Sequence, residues 1–509
     1  MRHLRDELAA AGLSPEEAER KSRLLAATRA VLDARGLGGP PRRYWVPGRV
    51  EVLGKHTDYA GGRGLLCAAE RGFVMSVAPR EDAVVTVIDV VHGAEASFEL
   101  SLDQPPCPHW HNYPATVVRR VVRNFPAPLQ GCDISIASDL PRASGMSSST
   151  AFIIAVFLAI ADRNALDTRP GWDDRIASLE ELAAYLGAIE NGASYGDLAG
   201  DRGVGTRGGS QDHTAILCAV PGHVVGYRFG PVQREASVPL GDRVFVIGAS
   251  GITASKAGEH RERYNQAVEA LQVLLGLWRT RTGETPVTLG ALLEEGPETL
   301  QRLRTFIDEA PPGPVSAEVL RNRLDHFVAE AKRLVPAATR ALAAGDFATF
   351  GTLVDESQHL AEQWLGNQIP ETSALARLAR RLGAEGASAF GAGFGGSVWA
   401  LVPEREAERF CVAWRAAYEA EFPMLASRAA FFRSHAGPAV LRLWLLAAAL
   451  SRAAAGRPLA RSAAIRGAGR AAAPHAGRRV AIALRQCPSS LTTVRVGPDN
   501  CPWRSRRST

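Results

Sequence analysis

Two separated segments concentrate the residue types that do chemistry. Between Gly48 and Gly62 stand Arg49, Lys55, His56, Asp58 and Tyr59, directly after a strand-like run. Ionisable groups this dense in a strand-end loop suit a polar ligand; the plain alternative is a surface hairpin with incidental charge. The second segment runs from Leu140 to Thr150 and contains Ser144, Gly145, Met146, Ser147, Ser148 and Ser149. It enters an apolar stretch at 151–163 that reads as a helix. The first amides of a helix have no internal partners and lie at the positive end of its dipole, so hydroxyls placed there suit phosphate. One serine hydroxyl is also a hard oxygen donor for Mg²⁺. The alternative is a serine-rich cap with no ligand. The segment is not a G-x-x-x-x-G-K-[ST] loop.

A third candidate, Gly391-Ala392-Gly393-Phe394-Gly395-Gly396, runs into a strand, Ser397–Leu401. A dinucleotide fold needs such a loop in a first βαβ unit with an acid about 20 residues on, and this position does not fit.

These segments need elements to hold them. A helix is expected over 14–36, with Ser14 as N-cap, Pro15 at its first position and Glu17 completing a capping box. Strands are expected at 44–54 (with a turn at Pro47-Gly48), 64–79, 83–91 and 131–137. A helix is expected at 175–190, followed by a glycine-rich loop over 192–210. Strands are then expected at 215–220, 223–228, 243–249 and 397–402. The stretch 255–382 reads as mainly helical, with breaks at Thr285-Pro286 and Pro311-Pro312, and a last helix spans 404–421. Strands and helices mix in both halves, an α+β pattern, with a boundary near 230–240 and no internal repeat.

The chain has 509 residues, 46% hydrophobic and 22% charged, enough for two packed domains. No apolar run of 18 residues exists, so no spanning helix is expected. The first residues, Met-Arg-His-Leu-Arg-Asp-Glu, show no apolar h-region and carry early acids, so a secretory signal is not expected. Seven scattered cysteines without C-x-x-C spacing argue against a disulfide framework or structural zinc and fit a cytoplasmic setting. The net charge of +6 is unevenly spread. Residues 444–509 hold twelve arginines against one acid, Asp499, which gives +11 and leaves −5 for residues 1–443. That Ala/Arg-rich tail lacks periodicity and reads as disordered, with 443–450 as a possible short helix. Only this tail suggests nucleic acid, so such binding is not expected of the body.

In order and wording, the three segments resemble the three motifs of the GHMP small-molecule kinases. Gly48-Arg49-Val50 followed by His56-Thr57-Asp58-Tyr59-Ala60-Gly61-Gly62 resembles the galactokinase signature. Trp110-His111-Asn112-Tyr113 is similar to a W-x-N-Y segment near the adenine pocket. Arg263-Tyr264-Asn265 is similar to a segment whose Tyr contacts the sugar. The resemblance spans about residues 40–440. It implies an N-terminal S5-like lobe (1–235) and a C-terminal ferredoxin-like lobe (236–443), with the active site between them. It implies ATP and Mg²⁺ as cofactors and a monosaccharide as substrate, phosphorylated at its C1 hydroxyl by a cytoplasmic enzyme without membrane attachment. The chain is expected to act as a monomer.

The resemblance also assigns residues. Asp212, in Gly209-Ser210-Gln211-Asp212, is the expected base, and Arg49 holds it ionised and stabilises developing charge. The sugar falls to Lys55, His56, Asp58, Gly209 and Tyr264. ATP falls to Ser144–Ser149 and Trp110, and Mg²⁺ to Ser149 (or Ser148) and Glu190. Each has a plain structural rival: Asp212 as a turn cap, Glu190 as a solvated helix-end acid, and Trp110, Tyr113 and Tyr264 as packing residues.

Three departures stand out. The family reads Gly-Glu-His-Thr-Asp where this chain has Gly54-Lys55-His56-Thr57-Asp58. There the Glu accepts from the sugar's C6 hydroxyl, and an ammonium only donates. Lys55 therefore raises a uronic acid of galacturonate type as an alternative substrate. Ala143 stands where glycine is usual. Glu190 and Asp212 lie 22 residues apart, about ten more than usual, and the extra 194–206 loop is either a lid or a plain insertion. A non-catalytic sugar- and ATP-binding regulator is a further alternative, weakened by retention of Arg49, Asp212, Ser149 and Glu190. Other GHMP kinases, such as mevalonate or homoserine kinases, lack the His-Thr-Asp-Tyr signature. The tail matches no part of the family, so deletion of 444–509 is expected to leave activity intact, as measured by sugar-dependent ADP release; loss of folding would place the boundary elsewhere.

Overall fold

The computed structural model describes residues 2–443 apart from 38, 40, 105–108, 142–143, 171, 173–174 and 254–258, and gives the backbone alone for 109 and 259–264. The tail 444–509, the expected short helix at 443–450 beyond Leu443, and Ala143 lie outside the described residues. Among the described residues no helix is long and apolar enough to cross a membrane.

The first sheet has eight strands: β1 (Arg42–Leu53), β2 (Arg63–Pro79), β3 (Val84–Asp89), β4 (Ala94–Glu99), β5 (Cys132–Ser138), β6 (His223–Arg228), β7 (Gln233–Pro239) and β12 (Leu441–Leu443). The second has four: β8 (Arg243–Ala249), β9 (Gly386–Phe390), β10 (Ser397–Pro403) and β11 (Ala430–Ser434). Its order is β11-β8-β10-β9, antiparallel throughout. Helices connect β8 to β9 and β10 to β11, which is the β-α-β-β-α-β arrangement of ferredoxin-like folds.

The helix Ser148–Arg163 is apolar on every side because it is enclosed. It packs with the helices Asn112–Asn124 and Leu179–Asn191 against the large sheet. A second core joins the lobes. Val50, Val52 and Leu53 of β1 and Met146 meet Ile247, Phe350, Phe390 and Trp399 there. The breaks near Thr285-Pro286 and Pro311-Pro312 fall between the helices Glu259–Thr282, Leu289–Leu292, Pro297–Asp308 and Ala317–Phe327. Two wide π-turn segments interrupt this helical region, at Val328–Leu334 and Ala361–Leu365.

Several local expectations change. Residues 211–217 are a buried helix (Gln211–Leu217) where a strand was expected from 215. A short apolar run does not distinguish the two by periodicity, and tertiary burial decides. Pro47-Gly48 is a register shift inside one continuous strand, not a turn; the Arg49 amide donates to Met146 O at 3.3 Å there. Ser14 is the N-cap without a side-chain cap. Its amide donates to Glu70 Oε1 at 2.6 Å, and Glu17 turns inward to Lys21, so the capping box does not form. Strands β4, β7, β9, β11 and β12 are not anticipated from the sequence.

One histidine after β11 adds to the contacts that hold the segment between β11 and β12 on the large sheet. His435 Nδ1 lies 2.9 Å from Glu70 Oε2 on β2, and Nε2 lies 3.0 Å from Glu404 Oε1. The Glu70 hydrogen bond raises His435 to about 9. Burial pushes Glu70 upward, but its bonds from His435 and the Ser14 amide outweigh this and hold it at about 2. A histidine raised on folding stabilises fully below its unfolded value, near 6.5, and that stability is lost as pH rises through about 9. Glu70 stabilises above its unfolded value, near 4.5, and loses this as pH falls through about 2. Thermal midpoints should show His435→Ala less stable than the native chain at pH 6 and nearly equal to it at pH 10.

Candidate active site

A cavity opens where the loop after β5, the loop after β1, the start of the helix Gln211–Leu217 and the glycine loop after β9 converge. Arg49 and Asp212 form its centre. Arg49 Nε donates to Asp212 Oδ1 at 2.7 Å, and Arg49 Nη1 donates to the carbonyl of Gly145. Ser147 Oγ donates to the other Asp212 oxygen. Asp212 lies in the first turn of its helix. The strand-to-helix change therefore fixes the carboxylate at a rigid helix start rather than in a loop.

Ser147 takes φ +59 at the N-cap of Ser148–Arg163, a conformation rare for a residue with a Cβ. The geometry turns its hydroxyl toward Asp212, and the first turn of the helix lines the cavity. Gly145, Ser148 and Ser149 share that wall. The glycine loop closes it from the second lobe. A Cβ on Gly391 (φ +88) would lie 2.7 Å from Gly145 O, so the two loops meet backbone to backbone. Three members of the expected ATP set do not line the cavity with their side chains. Ser144 is buried and donates to Pro141 O at 2.9 Å. Met146 fills the interlobe core. Trp110 packs on Phe152, ring centroids 6.0 Å apart, while Tyr113 of the same segment reaches the cavity.

Glu190 ends the helix Leu179–Asn191 and points at the start of Ser148–Arg163. It accepts from Thr150 Oγ1 at 2.8 Å and from Ser149 Oγ at 3.5 Å, and His213 Nε2 lies 3.3 Å away. Thr150 and His213 were not singled out from the sequence. Thr150 follows the serine run, and His213 adjoins Asp212 on the helix Gln211–Leu217, just before the strand expected from 215. The donor set of Ser149 and Glu190 is all hard oxygen and leaves room for phosphate, which fits Mg²⁺. Among the described residues no group of three His, Cys, Asp or Glu forms an all-protein metal cage.

His56 takes φ +56, and its Nδ1 lies 2.8 Å from Tyr59 Oη on the cavity wall. Asp58 Oδ2 accepts from the Gln211 amide at 3.0 Å. Burial raises its carboxyl, and that amide pulls the other way. Gly209 is required here, since a Cβ would sit 2.4 Å from Asp58 Oδ2. The side chain of Tyr264 lies outside the described residues; its backbone belongs to Glu259–Thr282. Glu51, which sequence reasoning passed over, also lines the cavity. It sits two residues after Arg49 on β1, and alternation along a strand places both on one face.

Lys55 departs from expectation. It does not line the cavity. It is buried, and Nζ donates to Ser357 Oγ at 3.0 Å and Ser388 Oγ at 2.8 Å in the second lobe. Glu330, on the first π segment, accepts from the Gly54 amide at 2.7 Å and from Ser357 Oγ at 3.0 Å. A buried ammonium needs acceptors, and these hydroxyls lie away from the cavity. The 194–206 segment is packed down rather than lid-like. Arg119 Nε pairs with Asp201 Oδ2 at 2.6 Å, both buried, and Asn112 Nδ2 donates to Val204 O at 3.1 Å.

Comparison with known proteins gives one picture. Residues 112–201 match the GHMP kinases N terminal domain, residues 338–420 match the GHMP kinases C terminal model, and residues 37–79 match the galactokinase galactose-binding signature. A galactokinase from Roseiflexus sp. (strain RS-1) is 30% identical over 368 residues, covering 72% of this chain and 84% of that one. A galactokinase from Bos taurus is 28% identical over 411 residues, covering 78% and 93%. The crystal structure of Lactococcus lactis galactokinase complexed with galactose superposes with a TM-score of 0.67 at 23% identity, covering 82% of this chain and 99% of that one.

Lys55→Met removes both donors to Ser357 and Ser388. It is expected to lower stability by about 1–3 kcal/mol in denaturant unfolding, the cost of two buried hydrogen bonds lost from a charged donor, while Ser357 and Ser388 still donate to Glu330 and Gln358. A cavity-facing lysine would instead leave stability nearly unchanged.

Proposed function

The chain belongs to the galactokinase family of the GHMP kinases, and on that premise we propose that it transfers the γ-phosphoryl group of ATP to the C1 hydroxyl of galactose. It is a sugar kinase, a phosphotransferase with ATP as phosphate donor. The observation that carries the finer reading is the pair at the cavity centre: Asp212, gripped by Arg49 at 2.7 Å and by Ser147, beside a helix N-terminus built for phosphate.

Asp212 takes the proton of the C1 hydroxyl as that oxygen bonds to the γ-phosphorus. The bond from γ-phosphorus to the β,γ-bridging oxygen breaks, and ADP leaves. Arg49 keeps Asp212 ionised beforehand and stabilises the charge spread over the transferring group. The Ser148–Arg163 amides and the hydroxyls of Ser147, Ser148 and Ser149 orient the phosphates. His56 and Asp58 face the cavity as donor and acceptor for sugar hydroxyls. Ser149 and Glu190 would hold Mg²⁺, which when bound neutralises phosphate charge.

Galactose is favoured over a uronic acid because the ammonium that suggested a carboxylate substrate is satisfied by Ser357 and Ser388. The Arg49–Asp212 pair and the helix start at Ser148 on one cavity support catalysis over a non-catalytic regulator.

A panel of sugars with Mg-ATP, scored by ADP release, tests this directly. Galactose should be turned over in preference to galacturonate, and a galacturonate preference would overturn the substrate. Asp212→Asn should lower kcat by about 10²–10⁴ with the fold intact, the range for losing a positioned base.

A further inference from the structure

Beside Arg49, on the wall of the same cavity, lies a second carboxylate that the reaction above does not use. Glu51 and Arg49 are each 3% exposed. Glu51 Oε2 lies 3.9 Å from Arg49 Nη2 and accepts from the Gly391 amide at 3.3 Å. Its other oxygen, Oε1, is buried without a hydrogen-bond partner. A guanidinium presents donors on more than one edge, so one arginine faces two carboxylates and holds them unequally. Asp212 has the short contact and Glu51 the long one.

We propose that Glu51 is a positioning residue that competes with Asp212 for Arg49 and so sets how much of the guanidinium's charge faces the transferring phosphoryl group. This rests on the reading of Asp212 and Arg49 as the reacting pair. With Glu51 neutral, the fork belongs to Asp212 and the cavity. With Glu51 ionised, the fork is drawn back and a further negative charge sits near an anionic donor.

The surroundings place this change in a useful range. Burial raises Glu51 to about 7. Arg49 on the same strand and Lys55 in the following loop favour its ionised form, as does the Gly391 amide, whereas Asp212 on the helix Gln211–Leu217 opposes it. Its neighbour across the ladder on β2 is Leu66, which carries no charge.

Glu51→Gln tests the proposal, because it keeps the volume and can still accept from Gly391. The full-length protein is assayed with galactose and Mg-ATP from pH 5.5 to 9. The native kcat should fall about five-fold as pH rises through about 7, a modest charge coupling at this separation. Glu51→Gln should hold the low-pH value throughout, with little change in KM for ATP. Profiles that superimpose would overturn the proposal. So would a variant depressed equally at every pH, because packing rather than charge would then be the role. Asp212→Asn measured alongside separates the two levels: full activity in that variant refutes the reacting pair itself, whatever Glu51 does.

Discussion

The site depends on one buried guanidinium. Arg49 comes from a strand of the first lobe, pairs with an acid on a helix start, and reaches the carbonyl of the phosphate loop. It also lies over the ring of Phe390, at the end of β9 in the second lobe. A charge held at 3% exposure costs a great deal unless every side of it is met. The surrounding structure supplies these partners, and in doing so brings the base, the phosphate loop and the second lobe to one point. The close approach of Gly145 and Gly391 is the steric side of the same constraint, since a side chain on either would push the loops apart.

The lobes meet through polar contacts as well as a shared apolar core. Glu330 receives the Gly54 amide across the junction, and Lys55 reaches Ser357 and Ser388. Ser388 in turn donates to Gln358, which also accepts the Ala389 amide at 2.9 Å. This network begins in the loop that carries His56 and Asp58 and ends two residues before Gly391. Two walls of the cavity are thereby fixed relative to each other by buried hydrogen bonds, each costly to break. A lysine where the family has an acid thus contributes to the frame around the site rather than to the lining of the cavity.

Much of the site was legible in the chain itself. The Arg49 and Asp212 pairing, the serine run at a helix start and the place of Glu190 followed from motif wording, and the geometry brings these residues together. Helix Ser148–Arg163 was readable because an unbroken apolar run of that length has few other fates. Helix Gln211–Leu217 was not, because a seven-residue buried segment shows no period of its own. The failed capping box at Ser14 has a similar origin. Local rules assigned Glu17 to the helix end, and a buried Lys21 one turn away claimed it.

The sequence by itself determined which chemistry is present: the residue types, their order and the small residues that let backbones approach. Such features depend on covalent identity and near neighbours, which a linear string records. Tertiary structure alone decided which way each ionisable group faces. Lys55 turned out of the cavity, Glu51 came to stand beside Arg49, and His213 came to rest beside Glu190. The direction of a buried polar side chain is set by where its partners lie. For Lys55 and Ser388 that separation is 333 residues along the chain, over which no local pattern carries information.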